Sequence, residues 1–454
     1  MKETSNKKLS TKQYLVVASM IFALFFGAGN LIFPLHLGQL AGKAWLPAAL
    51  GFLVTGVALP LFSLLAIAIT RSDGMYDLAR PIGGKFAIIF MTLIHLTIGP
   101  FFATPRTATV SYTVGVAPLL PKQYQGIGLI IFTVIFFGVV YAIAFNQSDI
   151  LSSLGKILNP IFLVALFLVF VVAFAKPMGN PSAMPISSEY TSGAFVKGFL
   201  QGYNTMDALA GLAFGVAVVS AIRSMGIKKE SEIAKVTAKS GMIGILAIGV
   251  IYLLLIVMGA MSLGQFKLSA DGGTAFSQIV TYYAGTFGQA FLAFLIVLTC
   301  LTTAVGLVAA FAEDFHQHFP IFSYRVWLTI ACVASCLVGS CGLDQIIKWS
   351  LPMLMFLYPL VIVLIVLSLL SPYIKKDPVV YRITVGLTLI PSFFDLVNSL
   401  PAPLNQTSFV VWMNKIRSSF LPMSDLGLSW IVPALIGLGI SVILHIWRRK
   451  AGKI

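Results

Sequence analysis

The chain has 454 residues, 58% of them hydrophobic and 10% charged; a soluble domain is roughly half apolar and about a quarter charged, so this composition excludes a water-soluble domain and requires a chain that faces lipid. The net charge of +15 does not indicate nucleic-acid binding, because Lys and Arg are scattered among short loops and tails and form no single basic face. Cys300, Cys332, Cys336 and Cys341 lie in or beside apolar runs without metal-site spacing, as do small buried hydrophobes, and His316 and His318 lack further ligand partners.

A bilayer is crossed by about 20 apolar residues in a helix, and the hydropathy pattern predicts an all-α polytopic protein with 12 such spans. Met1–Lys12 is polar and basic. The apolar run after it, 13–40, is long, is interrupted at Gly27–Asn30 and has no small-residue cleavage site, so it reads as a first span and not as a cleaved signal peptide. Spans 2 to 5 follow at 45–70, 85–116, 124–145 and 150–175. After Pro177-Met178-Gly179-Asn180-Pro181, spans 6 to 10 are predicted at 194–222, 238–263, 284–313, 323–341 and 343–371, with Asp271-Gly272-Gly273 as loop punctuation before span 8. The last two are 379–400 and 427–448. Residues 1–454 are thus one membrane domain with short tails.

Orientation follows from the Lys/Arg bias. With span ends counted in the adjacent loops, 21 of the 30 Lys/Arg fall on the side of both tails and 8 on the other; Arg106 lies inside span 3. The bias predicts cytoplasmic termini, and the richest cytoplasmic loop is Arg223–Lys239.

Two spans are interrupted. Span 1 carries Phe25-Phe26-Gly27-Ala28-Gly29-Asn30 and then Pro34; span 6 carries Gln201-Gly202-Tyr203-Asn204-Thr205-Met206-Asp207, then Gly211 and Gly215. Small residues also serve tight helix packing, but Gly27 and Gly29 do not share a helix face. The interruptions are five crossings apart, an odd offset that inverts the second copy. Paired interrupted segments in inverted halves point to a transporter binding site, and unwound backbone at mid-membrane must line a cavity or be buried in protein.

The stretches Phe22-Ala23-Leu24-Phe25-Phe26-Gly27-Ala28-Gly29-Asn30-Leu31-Ile32-Phe33-Pro34, Ile98–Ala108 and Gln201–Ala210 resemble the corresponding helices of the bacterial branched-chain amino acid:cation symporter family, and the similarity runs over essentially the whole chain. The resemblance implies the leucine-transporter-type fold: an inverted 5+5 repeat with discontinuous helices 1 and 6, plus two extra helices. The repeats would be 13–175 and 194–371, with 379–448 additional. It also implies a multi-pass protein of the bacterial inner membrane. Leu301-Thr302-Thr303, with Glu313-Asp314 ten residues on, is similar to the sodium-binding helix of such symporters. Carried over by position, the sodium donors are the carbonyls of Ala23, Phe26 and Thr299 and the hydroxyls of Thr302 and Thr303. A hard cation takes oxygen ligands; read alone, two Thr in a membrane helix also fit back-bonding to the preceding turn.

The implied substrate is leucine, isoleucine or valine. Its carboxylate is expected at the start of the second half of span 1, near Gly27, Ala28 and Gly29, where N–H groups are unpaired, with Phe26 and Asn30 also among the substrate-binding residues. Its ammonium is expected at carbonyls of Gly202, Tyr203 and Asn204, with Asn30 bridging substrate and ion. The coupling ion is sodium, with a proton as the alternative; no other cofactor, nucleic acid or obligatory protein partner is expected. A channel would need a ring of selectivity groups and an enzyme a convergent acid/base cluster, and neither motif is present in the sequence. Arg106 and Asp207 are candidate intramembrane charges. Pairing is one reading; the others are an N-cap or a proton carrier for Asp207 and snorkelling for Arg106.

Overall fold

The computed structural model describes residues 10–27, 29–145, 150–227 and 229–451. Among them nine helices are long and apolar enough to cross a membrane, and the shorter apolar helices Thr11–Phe25, Pro160–Ala175 and Tyr324–Gly339 complete the 12 spans. The outer surface is what a lipid-facing chain requires: Ile127, Val164 and Ile443 are more than 60% exposed.

Helix boundaries differ from the hydropathy reading where polar residues are helical. Span 7 begins at Glu230, so much of the basic loop 223–239 is its first turns. Asp271 ends no helix but starts one, its Oδ1 accepting from the N–H groups of Gly273 (2.7 Å) and Thr274 (2.9 Å). That helix, Gly272–His318, bends at Gly285, which takes a left-handed φ of 64° that favours glycine; its first arm is a separate element that the hydropathy reading left in a loop. A further helix, Ser408–Phe420, lies between spans 11 and 12. Its mixed composition reads as loop, yet Val410, Met413 and Arg417 face inward. Arg417 donates to buried Asp395 (2.9 Å), which also accepts from Ser429 Oγ (2.6 Å).

Packing between spans repeats with an offset of five. Span 1 lies against span 7: a Cβ on Gly38 would sit 2.0 Å from the Ile256 carbonyl oxygen, and one on Gly259 2.0 Å from that of Leu35. Span 6 lies against span 2 in the same way, with Gly198 and Gly51 leaving no room for a Cβ beside the carbonyls of Ala48 and Phe195. Pair 1–7 maps onto pair 6–2, the relation an inverted five-helix repeat imposes. The reason is physical. Lipid supplies no hydrophobic drive between helices, so close backbone approach through small residues holds them. Gly211 and Gly215 belong to this seam, against Ser63 and Ile67, and packing, not unwinding, accounts for them.

Candidate substrate and ion site

Both predicted breaks are present. In span 1 the helix Thr11–Phe25 ends, Phe26 is extended (φ −77°, ψ 99°), and a new helix begins at Gly29. In span 6 the helix Ala194–Gln201 gives way to a tight turn, Gly202–Thr205. Met206 then takes a left-handed φ of 61° before the helix Asp207–Ser224. A non-glycine residue in that region is unusual and clusters at functional sites.

The two breaks are joined directly. Asn30 Nδ2 donates to Asp207 Oδ2 (2.7 Å), and Tyr252 OH from span 7 donates to the same oxygen (2.9 Å). Asn30 Nδ2 also contacts Tyr252 OH. The other end of Asn30 holds the break open: its Oδ1 accepts the Gly27 N–H (2.9 Å). In a continuing helix that N–H would close on the Ala23 carbonyl, so the Ala23 carbonyl is released. Asp207 does not cap its helix; Met206 occupies the cap position, and the carboxylate reaches across to spans 1 and 7.

Arg106 stands beyond a kink at Gly99-Pro100 in span 3. Its Nη1 donates to the Asn204 carbonyl (2.6 Å), its Nη2 to Ser350 Oγ (3.4 Å), and its guanidinium lies 4.7 Å from the centre of the Phe33 ring. It forms no ion pair with Asp207 in this structure, and at 3% exposure it does not snorkel into a vestibule. The same charge therefore binds span 3 to the break in span 6.

The remaining candidates fall around these contacts. Gly29 faces Arg106, since a Cβ there would lie 3.8 Å from Nη1. Tyr203 is fully buried and stacks on Tyr358 of span 10 with ring centres 4.1 Å apart. At Gly202 span 6 again packs close against span 2, beside Thr55 and Phe52. The Gly202 carbonyl accepts from Thr205 Oγ1, and that of Tyr203 from the Met206 N–H. With Arg106 on Asn204, each of the three carbonyls expected to receive an ammonium already accepts one bond; a second lone pair remains on each. Ala28 lies outside the described residues.

The sodium candidates form a second group. Thr302 and Thr303 hydroxyls both donate to the Thr299 carbonyl (2.8 and 3.0 Å), the back-bonding of an ordinary membrane helix. Thr303 nevertheless abuts the break: a Cβ on Gly27 would lie 3.9 Å from its Oγ1. Thr299 Oγ1 is buried without a hydrogen-bond partner. Phe26 stacks on Phe22 and tilts against Phe162, and the Ala23 side chain is exposed. Tyr252, Ser350, Tyr358 and Phe33 escaped the sequence reading; the signal available for the first two was a lone polar group inside an apolar span.

The branched-chain amino acid permease BrnQ of Lactobacillus delbrueckii subsp. lactis is 40% identical over 446 residues, covering 98% of this chain and 99% of the relative. In three dimensions the chain resembles the nucleobase-cation-symport-1 family transporter Mhp1, in a closed conformation with bromovinylhydantoin bound. The TM-score is 0.62 at 13% identity, over 99% of this chain and 94% of Mhp1. It also resembles MhsT in complex with L-phenylalanine, with a TM-score of 0.56 at 14% identity, over 97% of this chain and 99% of MhsT. These likenesses establish the leucine-transporter-type fold. The family model described as branched-chain amino acid transport protein matches residues 10–448, and the chain belongs to that family, whose members are membrane carriers and not enzymes.

Proposed function

We propose that the protein is a secondary active symporter that imports leucine, isoleucine and valine together with sodium, by alternating access of spans 1 and 6 against the rest. The observation that carries this reading is the junction of two broken helices at Asn30 and Asp207, since interrupted membrane helices are where transporters present backbone groups to substrate and ion. The ion takes oxygens from Ala23, Phe26, Thr299, Thr302 and Thr303; Asn30 stands between ion and substrate. An apolar pocket separates ligands differing by one methylene by only about 1–3 kcal/mol, so the three amino acids compete closely. A second reading rests on Asp207: a buried carboxylate whose bonds come from neutral groups is suited to carry a proton, which makes proton coupling the rival.

Labelled-leucine uptake into proteoliposomes, with sodium and proton gradients imposed separately, decides between them. Sodium coupling predicts accumulation with sodium alone. It also predicts that Thr303→Ala raises the sodium concentration for half-maximal uptake by roughly ten- to hundredfold, the value of about 1.5–3 kcal/mol for a polar contact to a charge. Thr303→Ser should lie much nearer the parent. Unchanged sodium dependence in Thr302→Ala and Thr303→Ala alike would remove both from the ion site.

Both termini are proposed to be cytoplasmic in the inner membrane. In a Cys341→Ser background, a cysteine replacing exposed Lys235 should resist an impermeant thiol reagent in intact cells and react after permeabilisation. One replacing exposed Ser182 should react in both. The reverse pattern would invert the topology.

A further inference from the structure

Arg106 is a buried cation without a buried anion. Its partners are a carbonyl, a hydroxyl and an aromatic face, each carrying only partial charge. Its Nε is buried and makes no hydrogen bond. Among the described residues no acidic group lies within salt-bridge distance of it. Arginine stays protonated in proteins, and an unpaired charge in an apolar interior is among the costliest groups a fold can carry. Such a residue inside a membrane marks a place where a counter-charge arrives.

A second feature aims at the same point. The helix Gly29–Ala41 starts beside the guanidinium, and the leading N–H groups of a helix have no acceptor within it. A cation and a helix N-terminus that converge select an anion. The carbonyl now bonded by Arg106 belongs to the break in span 6. A zwitterion placed between the two replaces one bond by two: its carboxylate accepts from the guanidinium, and its ammonium donates to the released Asn204 carbonyl.

We infer that Arg106 is the carboxylate receptor of the substrate site, with Ser350 positioning its guanidinium and Asn204 receiving the ammonium. The inference rests on the amino-acid reading above and extends it by naming the group that requires the α-carboxylate. A bidentate guanidinium contact is directional, so a neutral carboxamide in the same place is rejected.

The test uses the full-length protein and equilibrium competition against labelled leucine, with leucine and leucinamide as competitors. The parent should prefer leucine by at least about 30-fold, the worth of a hydrogen bond to a charged group. In Arg106→Gln the preference should fall to within about threefold, while Arg106→Lys retains part of it. A merely structural arginine weakens both ligands equally; an unchanged preference in Arg106→Gln overturns the inference. Should that variant not fold, the parent alone decides: isocaproate, which keeps the carboxylate, must compete better than isoamylamine, which keeps the amine, and the opposite order overturns it. Failure of the parent to bind leucine at all would instead overturn the substrate reading itself.

Discussion

Asp207→Ala is expected to reduce leucine uptake by roughly ten- to hundredfold or more while the protein still reaches the membrane. The substitution removes an acceptor that two buried donors share, Asn30 Nδ2 and Tyr252 OH. The Tyr252 hydroxyl is left without its acceptor and Asn30 Nδ2 keeps only Tyr252 OH; an orphaned buried donor costs about 1–3 kcal/mol, and the loss falls on the contact that ties span 6 to spans 1 and 7. A charge exchange makes the test specific. Asn30→Asp alone places two carboxylates about where a 2.7 Å bond now stands, and two such groups cannot both ionise at that distance. The pair Asn30→Asp with Asp207→Asn restores one carboxylate and one amide, and leaves an oxygen at position 30 to accept the Gly27 N–H. Uptake should be lowest in Asn30→Asp and partly recovered in the exchange. Equal, additive losses across the cycle would mean that the two side chains act separately.

Gly202→Ala is expected to be more damaging than Gly27→Ala, although both glycines lie in the breaks. Gly202 has an ordinary helical φ of −62°, so its need for glycine is not conformational. A Cβ there would lie 2.0 Å from Thr55 Oγ1 and 3.0 Å from the Phe52 carbonyl oxygen. Thr55 is fixed by its own bond to the Phe199 carbonyl (2.7 Å) and cannot turn away freely. Forcing a methyl into a packed seam typically costs about 1–3 kcal/mol, and more where backbone must move. At Gly27 the nearest atoms to a Cβ are 3.7 and 3.8 Å away, at Asn30 and Thr303, so alanine fits. Thermal melting in detergent should show a large drop for Gly202→Ala and little for Gly27→Ala, with Thr55→Ala relieving part of the former. Similar stabilities for the two glycine variants would refute the close-approach account.

The positions of the breaks were legible in the residues themselves. Gly27, Gly29 and Asn30 in one apolar run, and Gly202 to Asp207 in another, are poor helix formers where a plain membrane helix would be apolar. The roles within the breaks were less legible. Gly202 reads in sequence as a site residue and in space as one of the close approaches between spans 6 and 2. Asp207 reads as a helix cap and in space is a cross-span acceptor. Arg106 invites pairing with Asp207 because both are charges in a membrane, yet it meets the Asn204 carbonyl and Ser350. The helix 408–420 was invisible to hydropathy because its inward face is short and its remaining surface mixed.

What the sequence determined alone was the class of molecule, the number of crossings, the charge asymmetry across the bilayer and the two points where helix gives way. These depend on composition and local pattern, since the cost of burying polar backbone and charge in lipid is felt residue by residue. The tertiary structure decided which groups meet. Asn30 and Asp207 are 177 residues apart, Arg106 and Ser350 244. Their contacts exist because glycine seams, such as Gly38 and Gly259 between spans 1 and 7 and Gly51 and Gly198 between spans 2 and 6, bring backbones close enough for short polar side chains to reach across. Partner choice is thus a property of helix packing geometry, which acts over distances that local pattern does not record.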